Sequence, residues 1–138
     1  MKAFVSYVAL ALALAFLATG CDDKAAILHS QGKAVLVGPS GGGDNNVGYG
    51  VGGSVSMAGS CVGLAMGSEH RTVIWPNGTK IVSEDPFTLD VPGVGRVSLG
   101  DTLAGGGHDV SPDRLPDGIE SVPSNCPSAD LMAFLPDH

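Results

Sequence analysis

The chain has few aromatic side chains and little positive charge. Aromatic residues make up 5% of its 138 residues, and seven Lys and Arg stand against fourteen Asp and Glu, so the formal net charge is -7. A nucleic-acid partner favours a basic stripe, and single-stranded nucleic acids favour aromatic stacking platforms. The composition therefore argues against nucleic-acid binding, and the acidic balance argues against electrostatic docking on anionic lipid headgroups.

The sequence also lacks the common catalytic and cofactor-binding motifs. No G-x-S-x-G elbow occurs, no G-K-S/T follows the triple glycine at 41–43, and no C-x-x-C joins two of the three cysteines. The motifs of a serine hydrolase, a phosphate-binding loop and a thioredoxin-like redox site are thus missing. We expect a protein that is not an enzyme and that uses no cofactor.

The four histidines show no metal-binding spacing. His29, His70, His108 and His138 form no H-x-H, H-x-x-x-H or H-E-x-x-H pattern. A site that gathers His70, His108 and a carboxylate is conceivable in chemical terms. Solvated histidines in loops or at the terminus are the favoured interpretation, so no metal ligand is predicted.

The long hydrophobic run of the chain lies at its N-terminus. Lys2 precedes an apolar stretch over residues 3–20, which ends in small residues directly before Cys21. A basic start, an apolar stretch and small residues before a cut point are typical of a secretory signal. The cysteine after that cut resembles the lipobox of bacterial lipoproteins. An uncleaved membrane anchor and ordinary secretion are the alternatives.

The resemblance implies a signal-peptide helix over residues 1–20 and a lipid on Cys21. The lipoprotein family carries a diacylglycerol on the sulfur, and two long acyl chains contribute on the order of 20 kcal/mol of membrane affinity. We therefore expect a protein held by palmitate-type chains on the extracytoplasmic face of the cell membrane. Without residues 1–20 the chain loses Lys2, and its formal charge becomes -8.

Two cysteines remain after Cys21. Outside the cytoplasm Cys61 and Cys126 most simply form one disulfide bond. Such a bond closes a loop of about 65 residues, for which the chain-entropy estimate is roughly 4 kcal/mol. A metal-binding pair and two unbonded thiols are the alternatives.

The rest of the chain has the pattern of short strands. Residues 21–32 are expected to form a tether, and residues 33–138 a single β domain with a glycine-rich loop at 38–53. Asn77-Gly78 is a strong hairpin signal between two β-branched segments. No helical stripe is present beyond residue 20, and no crossover helix is available for parallel strands. Residues 129–135 are expected to form a last strand or one to two helical turns.

These signals predict an all-β fold, either a small antiparallel OB-like β-barrel or a sandwich, with one disulfide. Trp75 is expected to pack over the barrel end, with an exposed anchor for a partner as the alternative. The chain contains the segments S-C-V-G-L at 60–64, V-I-W-P-N-G-T at 73–79, V-S-L-G-D-T-L-A-G-G-G at 97–107 and N-C-P at 125–127. These four segments resemble small secreted or lipidated proteins of actinobacterial type. The resemblance implies an OB-like β-barrel, and the function of such proteins is generally unassigned.

The leading functional hypothesis is a non-enzymatic, membrane-tethered β domain that interacts with another component of the cell envelope. It depends on the lipid signal, the strand pattern and the missing catalytic motifs. The alternative is an envelope lipoprotein that binds a small ligand or a metal ion at a barrel mouth beside the 38–53 loop.

Overall fold

The computed structural model describes residues 24–40 and 48–136, and this part of the chain is all-β. The signal-peptide helix expected at residues 1–20, Cys21 and His138 lie outside the described residues. The described strands are β1 (Ala26–Ser30), β2 (Lys33–Val37), β3 (Tyr49–Ala58), β4 (Cys61–Met66), β5 (Glu69–Trp75), β6 (Lys80–Glu84), β7 (Phe87–Val91), β8 (Gly95–Ser98), β9 (Thr102–Asp109) and β10 (Met132–Pro136).

Seven strands form the larger sheet, in the order β1-β2-β4-β3-β9-β10-β5. Antiparallel ladders join β9 to β3, β3 to β4 and β4 to β5, and β10 pairs with β9. A parallel ladder of two residue pairs then joins β10 to β5. The five strands thus follow one another around a ring, but the sheets are not closed into a clear barrel.

The larger sheet contains parallel pairs that the sequence analysis did not expect. Besides β5 and β10, β2 runs parallel to β4 and to β5. The expectation that parallel pairing needs a crossover helix was wrong for this chain. The connections from β2 to β5 and from β5 to β10 contain further strands, which carry the chain across in place of a helix.

The smaller sheet is the meander β6-β7-β8. On β7 the apolar side chains of Phe87, Leu89 and Val91 are buried, as the alternation of a strand with one apolar face requires. Lys33 of β2 reaches across to this sheet, with its Nζ 5.4 Å from the centre of the Phe87 ring. The two sheets therefore enclose one core between them.

That core, termed the inner cluster, contains the large buried side chains of both sheets. Trp75 is fully buried, its ring centre lies 5.8 Å from that of Phe134, and its Nε1–H donates to the Val62 carbonyl at 3.0 Å. The packed interpretation of Trp75 is thus the right one. The inner cluster comprises Val35, Val37, Val51, Val55, Val62, Leu64, Val73, Trp75, Phe87, Leu89, Val91, Val97, Leu103, Met132 and Phe134.

The Asn77-Gly78 turn does not close the predicted hairpin. The strands on either side of it, β5 and β6, belong to different sheets and do not pair. The Asn77 amide donates to the Gly38 carbonyl at 3.0 Å, and the Thr79 hydroxyl donates to the Pro76 carbonyl at 2.7 Å. These bonds fix a turn that redirects the chain from the larger sheet to the smaller one.

Two boundaries of the expected domain organisation also change. The tether expected at 21–32 contains β1, which pairs along its whole length with β2 because Ile27 and Leu28 pack against the sheet. The glycine-rich loop expected at 38–53 ends earlier, since β3 begins at Tyr49. Residues 41–47 of that loop lie outside the described residues. The last segment is the strand β10 rather than a helical turn.

Some glycines of β3 and β9 lie where other groups approach the backbone closely, whereas Gly50 and Gly52 face open space. Gly50 pairs with Gly106, and Val51 pairs with Gly105. A Cβ on Gly107 would lie 2.8 Å from both a Met132 methyl and a Val51 methyl. Glycine usually weakens a strand. At Gly107 the core packs so closely behind the ladder that a larger residue would not fit without a shift.

Candidate functional site

The two cysteines predicted to pair do form a disulfide bond. The sulfurs of Cys61 and Cys126 are bonded, with the Cα atoms 5.5 Å apart and a sequence separation of 65. Cys61 begins β4, and Cys126 belongs to the strandless segment that connects β9 to β10. The predicted lipidation residue, Cys21, lies outside the described residues.

The disulfide belongs to a second core on the outer face of the larger sheet. Along β2, Val35 and Val37 point into the inner cluster, whereas Ala34 and Leu36 point to the other side, as the alternation of a strand requires. Segment 110–131 covers this outer face. The outer cluster consists of Ala25, Ala34, Leu36, Cys61, Ile74, Ile119, Cys126 and Leu131.

Segment 110–131 is held by scattered bonds rather than by a ladder. The Ser60 N–H donates to the Asn125 carbonyl at 3.1 Å, and the buried Thr72 hydroxyl donates to the Pro127 carbonyl at 2.6 Å. The segment has no strand to align it, so the disulfide supplies its covalent attachment to β4. The face of β2, β4 and β5 that it covers is closed by the chain itself.

A polar cluster that the sequence analysis missed joins three strands of the larger sheet. Arg71 of β5 donates through Nη2 to Asp109 Oδ1 at 2.7 Å and through Nη1 to the Tyr49 hydroxyl at 3.1 Å. The Tyr49 hydroxyl in turn donates to Asp109 Oδ1 at 2.7 Å. Arg71 Nε donates to the Asp130 carbonyl at 2.8 Å, which also ties the entry of β10 to this cluster.

Burial differs sharply within this polar cluster. The Arg71 side chain is 13% exposed, whereas that of Asp109 is 74% exposed. The guanidinium lies 5.9 Å from the centre of the Tyr49 ring, a cation–π arrangement that helps to cover it. The cluster therefore presents the Asp109 carboxylate to solvent, and Arg71 and Tyr49 orientate it by hydrogen bonds.

The ionisation states of the cluster are fixed across the neutral range. Hydrogen bonds from Arg71 and Tyr49 lower the pKa of Asp109. Burial, followed by the hydrogen bond to Asp109, raises the pKa of Tyr49. Both shifts move away from neutrality, so Asp109 stays ionised and Tyr49 stays protonated near pH 7. Such a cluster is suited to binding a cationic or hydrogen-bond-donating group and poorly suited to proton transfer.

The three described histidines lie on strands and not in loops as expected: His29 on β1, His70 on β5 and His108 on β9. His29 and His70 are exposed and His108 is half-buried. The His70 ring forms a hydrogen bond with the Ser56 hydroxyl at 3.1 Å, and the His108 ring lies 3.3 Å from the Asp109 carbonyl. Within residues 24–40 and 48–136, no group of three or more His, Cys, Asp or Glu side chains could hold a metal ion. His70 and His108 are thus not brought together with a carboxylate as a metal site in this part of the chain.

One carboxylate, Glu84, connects the two sheets. Its two oxygens accept hydrogen bonds from the Ser30 hydroxyl at 2.8 Å and from the Gln31 amide at 3.0 Å. Ser30 and Gln31 lie at the tip of the β1–β2 hairpin, and Glu84 ends β6. Glu84 thus makes a structural contact between the two sheets.

A sequence signal for the polar cluster existed. Arg71 is followed in β5 by four residues that are all buried, and a cation at the start of such a strand needs a partner nearby. The partners could not be found from sequence, because Asp109 is 38 residues away and Tyr49 lies in the glycine-rich segment expected to be a loop.

Comparison with known proteins gives no relative: no family model, no curated protein and no solved structure matches the chain. Among the described residues there is also no helix whose length and apolar character would let it cross a membrane.

Proposed function

We propose that the protein is a lipoprotein of the extracytoplasmic face of the cell membrane, anchored through Cys21. The observation that carries this proposal is the Cys61–Cys126 disulfide bond. Structural disulfides are typical of oxidising compartments outside the cytoplasm. The bond also uses both other cysteines, so that Cys21 is the one thiol left for lipid, at the end of a secretory-type signal.

We further propose that the domain acts by binding another envelope component rather than by catalysis. Asp109 supports this role, because it is exposed, ionised at neutral pH and held in place by Arg71 and Tyr49. A carboxylate that is already orientated loses little side-chain entropy when a partner binds. The expected partner surface offers a cationic or hydrogen-bond-donating group.

Membrane attachment is tested by the variant Cys21→Ala. Without the sulfur no lipid can be added, so the protein should leave the membrane fraction or accumulate with its leader uncleaved. Asp22→Asn, which changes the neighbouring residue and keeps the thiol, is the matched control and should stay membrane-bound. If Cys21→Ala were processed and retained in membranes like the wild type, the lipid assignment would be wrong.

Partner binding is tested by covalent cross-linking in whole cells followed by mass spectrometry. Asp109→Asn should reduce the yield of the partner about fivefold or more, since it removes the negative charge that strengthens a hydrogen bond from the partner. Asp90→Asn, at another exposed carboxylate, should leave the yield unchanged. Repeated absence of any cross-linked partner, together with a stoichiometric small mass bound in native mass spectrometry, would favour the ligand-binding alternative instead.

A further inference from the structure

The fold begins close to the proposed lipidation site. Ala25 is only 3% exposed, and its N–H donates to the Asp117 carbonyl at 3.2 Å. The backbone of Gly118 packs directly against that of Ala25, so closely that a Cβ on Gly118 would overlap the Ala25 carbonyl. Ala25 is therefore a fixed point of the domain, and four residue steps separate it from Cys21.

The loop at residues 111–120 contacts this fixed point through Asp117 and Gly118. Ile119 anchors the loop from inside, since it is 3% exposed within the outer cluster, and Leu115 packs beside it. The charged side chains of the loop are on its exposed side: Asp113, Arg114, Asp117 and Glu120. This side of the loop is termed the entry face, because the loop adjoins Ala25, where the chain enters the domain.

Chain geometry limits how far the entry face can lie from the lipid. Four extended residues span at most about 14 Å from Cys21 to Ala25. The polar headgroup layer on each side of a bilayer is itself about 5–7 Å thick. We propose that the entry face is the membrane-apposed surface of the domain, held against the headgroups of the bilayer. This inference rests on the proposed lipidation of Cys21.

The tip of the β1–β2 hairpin lies at the opposite end of β1 from Ala25. β1 runs from Ala26 to Ser30, and its five residues carry the chain about 17 Å along the strand from Ala25. Gln31 at the hairpin tip contacts Glu84 of the smaller sheet. The smaller sheet therefore meets the hairpin at the end remote from Ala25, where we expect a protease to have access on a vesicle.

Charge does not hold the entry face on the bilayer. The loop at 111–120 contains three acidic residues and one arginine, which gives it a formal charge of -2. Anionic headgroups repel such a loop. The apposition therefore depends on the length of the connection alone, and lengthening that connection should abolish it.

Trypsin provides a direct test, because Arg114 is exposed in the loop and is followed by Leu115. The lipidated protein would be extracted, reconstituted in phosphatidylcholine vesicles and digested briefly, beside a leaderless soluble form that begins at Asp22. Cleavage after Arg114 should be slowed about tenfold or more on the vesicles, since an exposed loop is cut only when a protease can reach it. A ten-residue Gly/Ser insertion after Asp23 should restore cleavage to within about twofold of the soluble rate, because it adds roughly 17 Å of average reach.

The matched control is a second trypsin site at the hairpin tip, created by Gln31→Arg. Its cleavage should be equally fast on vesicles and in solution. Equal cleavage after Arg114 in both states would overturn the proposal, and so would equal protection of the two sites. The mass of the extracted protein separates this result from the proposed function. If Cys21 carried no lipid, the proposed function would fail. The Cys21 thiol could then be coupled to vesicles with maleimide headgroups, and the same digestion would decide whether the entry face lies against the bilayer.

Discussion

The inner and outer clusters are built from opposite faces of the same strands, yet they are held in different ways. The inner cluster is enclosed by two sheets, and ladders of backbone hydrogen bonds align every element around it. The outer cluster is covered by segment 110–131, which has no ladder and depends on a disulfide and a few scattered hydrogen bonds. A strand face can thus be buried by an irregular segment when a covalent link offsets part of its entropic cost.

The largest effect should come from removing the central side chain of the inner cluster. Trp75→Ala is expected to lower the free energy of unfolding by about 3–5 kcal/mol, because it leaves a cavity beside Phe134. Trp75→Phe, which keeps an aromatic ring and leaves the Val62 carbonyl without its donor, should cost about 1–3 kcal/mol. Denaturant titration measures both values. A loss under about 1 kcal/mol for Trp75→Ala would show that the inner cluster is not the main core.

The outer cluster should be weakened mainly through its covalent link. Replacing both Cys61 and Cys126 with serine is expected to lower the free energy of unfolding by about 4 kcal/mol. Hydrogen exchange should distinguish the two clusters. Amides of segment 110–131 should lose protection, whereas amides of the β3–β9 ladder should still exchange only through global unfolding. Equal loss of protection in both places would show that the two clusters unfold as one unit.

A pair of glycine variants sharpens the comparison. Gly118 and Gly95 have similar backbone angles, with φ of 107° and 105°, but only Gly118 packs against Ala25. Gly95→Ala should cost about 1–2 kcal/mol from the strained backbone alone. Gly118→Ala should cost about 1–2 kcal/mol more, since the loop must move away from Ala25. Thermal unfolding measures the loss of stability of each variant. Equal losses would show that the contact with Ala25 does not destabilise the Gly118 variant.

The smallest effect concerns the polar cluster. In the chain from Cys21 onward Tyr49 is the single tyrosine, so tyrosinate absorbance reports it alone. Its midpoint should lie above 10.0 in the folded protein, and Asp109→Asn should lower it without abolishing the shift, because burial is the larger cause. A midpoint at or below 10.0 in the folded wild type would contradict the arrangement at Tyr49.

The direction of the pKa shifts also fixes the pH dependence of stability. The raised pKa of Tyr49 gives a contribution that is complete below pH 10.0 and is lost as the pH rises through the raised pKa. The lowered pKa of Asp109 gives a contribution that is complete above its ordinary pKa of 3.8 and is lost as the pH falls through the lowered value. The contribution of the cluster should therefore be constant between these limits.

Local patterns predicted the all-β fold and the disulfide, because strand patterning and cysteine count are properties of short segments or of the whole chain. They failed where distant residues decide the outcome. The strand character of Tyr49 and the glycines that follow depends on the facing glycines of β9. The Asn77 turn depends on the Gly38 carbonyl, 39 residues away. The polar cluster was missed for the same reason, since its three members come from three strands.

The most direct test of the account is the intact mass of the protein extracted from membranes. The account predicts a chain that begins at Cys21, carries diacylglycerol on that residue and is two hydrogens lighter than its fully reduced form because of the Cys61–Cys126 bond. A chain that still contains residues 1–20 and carries no fatty acid would contradict it.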